Sequence, residues 1–171
     1  MNPPDGRVDP NGPTFRWLTG QDAAAPKGTF PPDVIAAAKL SHTKYGIPAS
    51  VTLAQWALES NWGRAMPSGS NNPFGIKAVG DQPYVEASTR EVINGESRIV
   101  TARFRRFASM DEAFDQHEKL LGHGHPYIKA RTVLPDAERF ADELTGVYAT
   151  DPTYGTVLKG IMRSHNLEQY D

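Results

Sequence analysis

Ala49-Ser50-Val51-Thr52-Leu53-Ala54-Gln55-Trp56-Ala57-Leu58-Glu59-Ser60-Asn61-Trp62-Gly63 is the stretch on which the fold reading turns. It follows Gly46 and Pro48, a helix stop and a first-turn proline. Leu53, Ala54, Ala57 and Leu58 fall at i, i+1, i+4 and i+5, so the spacing predicts a buried helix from about Ala49 to Ser60. Glu59 closes that helix where the macrodipole disfavours a carboxylate, so stability does not explain it. Gln55 and Trp56 precede it on the same face and Trp62 follows one turn on; a carboxyl against indole is expected to lose solvation and to hold its proton to higher pH. Such a group can donate a proton to a leaving oxygen. The alternative is a solvated glutamate at a helix end.

Outward from this helix the pattern stays helical except in one place. Upstream, Val34, Ala37, Ala38 and Tyr45 predict a helix from Pro32 to Gly46. Between Pro83 and Phe107 the period changes to two around Asn94-Gly95, a strong hairpin signal. Ser109-Met110-Asp111-Glu112 is a capping box, opening a helix with Ala113, Phe114, His117, Leu120 and Leu121 inward. Pro135-Asp136 begins another, with Ala137, Phe140, Ala141 and Leu144 inward; Asp151-Pro152 is expected to cap the last, with Tyr154, Val157, Leu158, Ile161 and Met162 inward. The fold class expected is mainly helical α+β with one small β lobe.

Seven of the 14 prolines lie within the first 32 residues, so residues 1–30 read as a Pro-rich arm and 31–171 as one domain. Within the arm, Asp5–Pro10 and Thr14–Leu18 resemble the end of peptidoglycan-binding repeats, although Phe15, Trp17 and Leu18 docked on the main domain is the simpler expectation. The 171 residues carry 18 basic and 20 acidic side chains, net −2, which argues against a nucleic-acid partner. The absence of cysteine excludes a thiol nucleophile or thiolate metal site and leaves the compartment open. No stretch approaches the ~18 apolar residues of a membrane span, and the N-terminus does not read as a signal peptide. His117, His123 and His125 lack a carboxylate set, so no metal or other cofactor is expected, and His117 reads as a core histidine. Arg103, Arg105 and Arg106 read as a solvated strip able to meet anionic peptide.

The loop Asn71-Asn72-Pro73-Phe74-Gly75-Ile76-Lys77 offers carboxamides, an aromatic face and turning backbone, a combination suited to a sugar chain and equally to a self-held connector. Together with Tyr45–Gly63, this loop closely resembles the family 73 glycoside hydrolases, the β-N-acetylglucosaminidases of autolysins, phage lysins and flagellar rod-building proteins. The resemblance continues through Thr89-Arg90-Glu91, Asn94-Gly95, Ala102–Arg105, Phe107–Ser109 and Tyr148–Tyr154, and runs to Asp171. It implies a lysozyme-like domain cutting the β-1,4 bond after N-acetylglucosamine in peptidoglycan. Glu59 falls on the family's general acid, Glu91 on the β-lobe carboxylate proposed to activate water, and Tyr148 on a tyrosine lining the cleft. Gln55, Trp62, Asn71, Asn72, Phe74, Gly75, Lys77 and Tyr154 are the candidate substrate-binding residues. Val92 replaces the aromatic usual after the β-lobe glutamate, and Pro73 a common leucine.

Inversion with Glu91 as base is the preferred mechanism, with Glu86 and Glu96 as alternatives for the second carboxylate. A covalent intermediate and substrate-assisted attack by the acetamido oxygen stay open. The rival functions are a muramidase or lytic transglycosylase and a catalytically idle wall-binding module. The partners expected are peptidoglycan glycan strands and, for an antibacterial effector delivered by type VI secretion, an immunity protein plugging the cleft in the periplasm. Holin release as a phage lysin and flagellar export are the other routes to the wall.

Overall fold

The computed structural model describes residues 28–171 apart from Asn94; for residues 90–93 and Ser97 it describes the backbone alone. Its elements in chain order are α1 (Pro32–Tyr45), α2 (Ala49–Glu59), β1 (Tyr84–Ile93), β2 (Glu96–Arg105), α3 (Met110–His123), α4 (Ile128–Arg131), α5 (Ala137–Glu143) and α6 (Tyr154–Ser164). Short 3-10 turns at His125–Tyr127 and Leu167–Tyr170 were not legible from periodicity, being too short to display one. The expected mainly helical α+β class with a hairpin lobe is what the chain adopts.

α2 is the axis of the body. All eleven of its residues are buried, because α1, α5, α6 and the Leu167–Tyr170 turn pack around it. The stripe read from the sequence is thus one face of a helix covered on every side; its alanines, Ser50 and Thr52 allow the close approach of the others. Pro48 at its N-cap offers no side chain to the free N–H groups. Asp171, 121 residues away, supplies the acceptors: Oδ1 takes the Ser50 N–H at 2.7 Å and Oδ2 the Ser50 hydroxyl at 2.7 Å.

The capping box before α3 forms, with Ser109 Oγ accepting from Glu112 N at 3.1 Å and the Glu112 carboxylate reaching back to Ala108 N at 2.7 Å. Asp136 caps α5 by accepting from Arg139 N at 3.0 Å. Asp151 does not cap α6. The helix starts at Tyr154 after Thr153, and Asp151 Oδ1 instead closes the preceding turn on Thr153 N and Oγ1, at 2.8 and 2.7 Å.

β1 and β2 pair antiparallel from Tyr84↔Arg105 to Ile93↔Glu96, leaving two residues for the connection, with Gly95 at φ 81°. Thr89 is buried and Val85 and Ala87 are half-buried, whereas Tyr84, Glu86 and Ser88 are exposed, so one face of the ribbon meets the body and the other meets water.

Candidate active site

Glu59 ends α2 and is 5% exposed. The chain then leaves the helix through three successive left-handed residues, Asn61, Trp62 and Gly63, at φ 47°, 61° and 76°. A tryptophan in that region is strained, and the turn is held by Trp62 N on Ala57 O at 2.9 Å, Ala65 N on Ser60 O at 2.8 Å and Gly63 N on Ser60 Oγ at 2.8 Å. This reversal takes Trp62 out of helical phase with Glu59. Its indole packs on Phe30 at 4.9 Å and His165 at 4.9 Å, and lies so close to Gly28 that any side chain there would overlap it. Trp56 is fully within the core, with Phe30 5.8 Å from its ring.

One hydrogen-bond chain orients the Glu59 carboxyl. Gln55 Nε2 donates to the Tyr154 oxygen at 3.1 Å, and the Tyr154 hydroxyl donates to Glu59 Oε1 at 3.0 Å. Burial pushes the Glu59 carboxyl up to about 7, against the downward pull of the Tyr154 bond. Because Oε1 is occupied as an acceptor, the proton of the acid form sits on Oε2. The pairing is reciprocal: burial first and the nearby Glu59 charge second hold the Tyr154 hydroxyl well above its ordinary range, so it stays a donor. Tyr148, 1% exposed, stacks on Tyr154 with ring centres 5.6 Å apart and 20° between planes. Its hydroxyl, raised by burial and then by the Glu59 charge, lies 3.2 Å from His117 Nε2.

Gln55, Glu59, Tyr148 and Tyr154 therefore form one cluster, reached from α2, the Leu144–Ala149 turn and α6. The loop residues are used differently. Asn72 is wholly buried: its Nδ2 donates to Ile76 O and Arg105 O, at 2.8 and 2.9 Å, and its Oδ1 accepts from Ile76 N at 3.0 Å. Phe74, also fully buried, stacks on the His117 ring at 3.9 Å. Gly75 takes φ 65° inside this buried turn. These side chains, expected to meet substrate, are closed inside the connector, because a loop that must hold a hairpin has to satisfy its own buried amides first. Exposed Asn71 keeps its backbone at φ 50° and donates to Phe107 O at 3.0 Å. Lys77, half-buried, is bridged to Phe104 on β2, which joins the loop to the ribbon.

Glu91 lies on β1 opposite Arg98, two residues beyond buried Thr89 and thus at the same phase of the strand. Glu86 has the opposite phase and is exposed, 3.8 Å from Arg103 across the ribbon; Glu96 is exposed at the hairpin end and bonds Arg98 at 2.9 Å. The basic strip is divided: Arg103 covers the Tyr84 ring at 4.4 Å, while Arg105 turns to Gln116 at 3.3 Å. Among the described residues no group of three or more His, Asp or Glu is arranged to hold a metal ion, and no helix is long and apolar enough to cross a membrane. The stripe read from the sequence took Leu120 as inward and passed over Glu118, which is fully buried beside His117. Its position four residues after Phe114 and three before Leu121 was the available signal.

Comparison with known proteins places the chain in a family. Residues 35–167 match the family model described as mannosyl-glycoprotein endo-beta-N-acetylglucosaminidase. The exo-glucosaminidase LytG of Bacillus subtilis (strain 168) is 31% identical over 140 residues, covering 78% of this chain and 50% of that protein. The peptidoglycan hydrolase FlgJ of Escherichia coli (strain K12) is 37% identical over 134 residues, 74% of this chain and 42% of that one. The chain thus spans about half the length of the curated relatives it matches. Among solved structures, the catalytic domain of the autolysin Auto from Listeria monocytogenes superposes with a TM-score of 0.74 at 30% identity, covering 91% of this chain and 94% of that one. The family match over most of the chain, the relatives' identity and the shared fold make this chain a member of the glucosaminidase family of glycoside hydrolases.

Proposed function

We propose that the chain hydrolyses peptidoglycan glycan strands at the β-1,4 bond after N-acetylglucosamine, with Glu59 as general acid. The observation that carries this reading is a lone carboxyl at the end of a buried helix, raised to about 7 by burial, with one oxygen tied to Tyr154 and the other without a partner among the described residues. Glu59 Oε2–H protonates the glycosidic oxygen as the bond to the anomeric carbon breaks. A water attacks that carbon from the opposite face and loses its proton to Glu91, giving inversion. The two carboxyls of such an enzyme stand roughly 6.5–9.5 Å apart, room enough for the water. A separately folded ribbon for the base suits that spacing, because a glycan strand has to enter between the two. Tyr148, Asn71 and Lys77 complete the proposed cleft, and no metal or cofactor enters the reaction.

Digestion of purified peptidoglycan followed by mass spectrometry tests the reading. Products with reducing-end N-acetylglucosamine are expected from the native chain and none from Glu59→Gln. Anhydromuramic or reducing muramic ends overturn the assigned bond, and full activity in Glu59→Gln overturns the assigned acid. The further reading as an antibacterial effector, blocked in the producing cell by an immunity protein over the cleft, draws on Asp5–Leu18 and on the location of the substrate outside the cytoplasm. Lysis when the chain is directed to the periplasm, with none when it stays in the cytoplasm, is the expected result. Failure to co-purify any small inhibitory partner from the producer overturns the immunity element.

A further inference from the structure

Behind the Glu59 cluster lies a second buried polar chain that the proposed reaction leaves unused. His117 and Glu118 are adjacent on α3 and both are 0% exposed. Glu118 Oε1 is 2.8 Å from His117 Nδ1 and accepts from Thr52 Oγ1 at 2.8 Å; His117 Nε2 is 3.2 Å from the Tyr148 hydroxyl. Phe74 lies flat on the imidazole, with 14° between the planes, and fixes the ring's tilt. Thr52 stands on α2, two turns before Glu59. The chain therefore begins on the helix that carries the acid and ends at Tyr148, whose ring rests on Tyr154.

Stability does not account for Glu118. Its carboxyl has no lysine or arginine partner among the described residues, and Oε2 is buried without a hydrogen bond. Taking a carboxyl out of water without full compensation is unfavourable, and an apolar residue would suit a site between Phe114 and Leu121 on the inward stripe. A buried polar group that weakens its own core calls for another role.

We propose that Glu118 and His117 are positioning residues that hold Tyr148, and through its stack on Tyr154 the hydrogen bond to Glu59, in the geometry needed for proton donation. His117 keeps its ring proton on Nδ1 and donates it in a hydrogen bond to Glu118 Oε1, which leaves Nε2 as the acceptor for the Tyr148 O–H. The Tyr148 ring is then anchored at its hydroxyl end while its face rests on Tyr154, whose own hydroxyl grips Glu59 Oε1. Displacement anywhere along this line moves the acid relative to the glycosidic oxygen. The inference rests on Glu59 being the acid.

Glu118→Gln is the probe, because an amide preserves the shape but allows the imidazole to take the other tautomer, with its proton on Nε2 and the bond to Tyr148 reversed. The expected result is a fall in kcat on the order of ten- to a hundredfold with KM within about twofold, since misplacement of a reacting group affects the chemical step. The melting temperature is expected to stay level or rise, the opposite of a structural role. In the Tyr148→Phe background the same substitution should add no further loss. Nitrogen-15 NMR of the unsubstituted protein reads the tautomer directly and decides the matter even if Glu118→Gln fails to fold; a His117 proton on Nε2 alone overturns the proposal. An unchanged kcat, or an equal loss with and without the Tyr148 hydroxyl, also overturns it. If Glu59→Gln retains activity, the assignment of the acid has failed; if Glu59→Gln is inactive while the Glu118 and Tyr148 effects add, this inference alone has failed.

Discussion

The two parts of the molecule that carry the proposed acid and base are built in opposite ways. Glu59 sits on a helix enclosed by three others, and its carboxyl is oriented by Gln55 and Tyr154 in a dry surrounding. Glu91 sits on a two-stranded ribbon with one wet face, joined to the body through the Asn71–Ala78 connector and its bonds to β2. An isolated two-stranded ribbon is marginal in water, so the buried Asn72 amide does for the hairpin what a third strand does elsewhere. The contrast teaches a division of labour: the acid needs an environment that holds its proton, which requires burial, whereas the base must stay ionised and let a polymer pass.

Removing the acid is expected to have the largest effect. Glu59→Gln should lower kcat by three orders of magnitude or more, on the order of a lost general acid together with its positioning. The same substitution should stabilise the protein at alkaline pH. The folded-state carboxyl titrates at about 7 against an ordinary 4.5, so the folded chain binds the extra proton between those values, and its contribution is intact below 4.5 and lost as pH rises through 7. Urea unfolding should show Glu59→Gln about 3 kcal/mol more stable at pH 8 and level with the native chain at pH 4. A gain that does not vary with pH would break the comparison on the acid side.

On the ribbon side, Asn72→Ala removes three hydrogen bonds and takes the Asn72 partner from Ile76 N and Arg105 O, while Ile76 O keeps the Arg105 N–H. A loss of about 3 kcal/mol is expected, with hydrogen exchange rising first in β1 and β2 and α2 remaining protected. Equal loss of protection in α2 would mean that ribbon and body are one unit. Tyr154→Phe is a smaller change. It takes away the bond that pulls the Glu59 carboxyl down, so the alkaline limb of the kcat/KM profile should move to higher pH, at about 1 kcal/mol of stability. Asp171→Ala should cost about 1 kcal/mol by uncapping α2 and leave the limb in place. Glu86→Ala, on the wet face beside Arg103, should change stability by less than about 0.5 kcal/mol and activity not at all, which separates the outer carboxylate from Glu91.

Much of this architecture could be read in the chain itself. Periodicity located α1, α2, α3, α5 and α6, and Asn94-Gly95 placed the reversal of the hairpin, because these features depend on neighbours a few residues apart. Glu59 stood out for the same reason: a carboxylate at the unfavourable end of an apolar helix is a local contradiction. Tertiary structure decided the rest. That α2 is covered on all sides, that its N-terminus is capped by Asp171, that Tyr154 hydrogen-bonds the acid, and that Glu118 lies buried against Thr52 all join residues tens to more than a hundred positions apart. Such pairings arise when helices pack and trap polar groups between them. A side chain's partner in the core depends on which surfaces meet, and spacing along one helix carries no record of the helix that will face it.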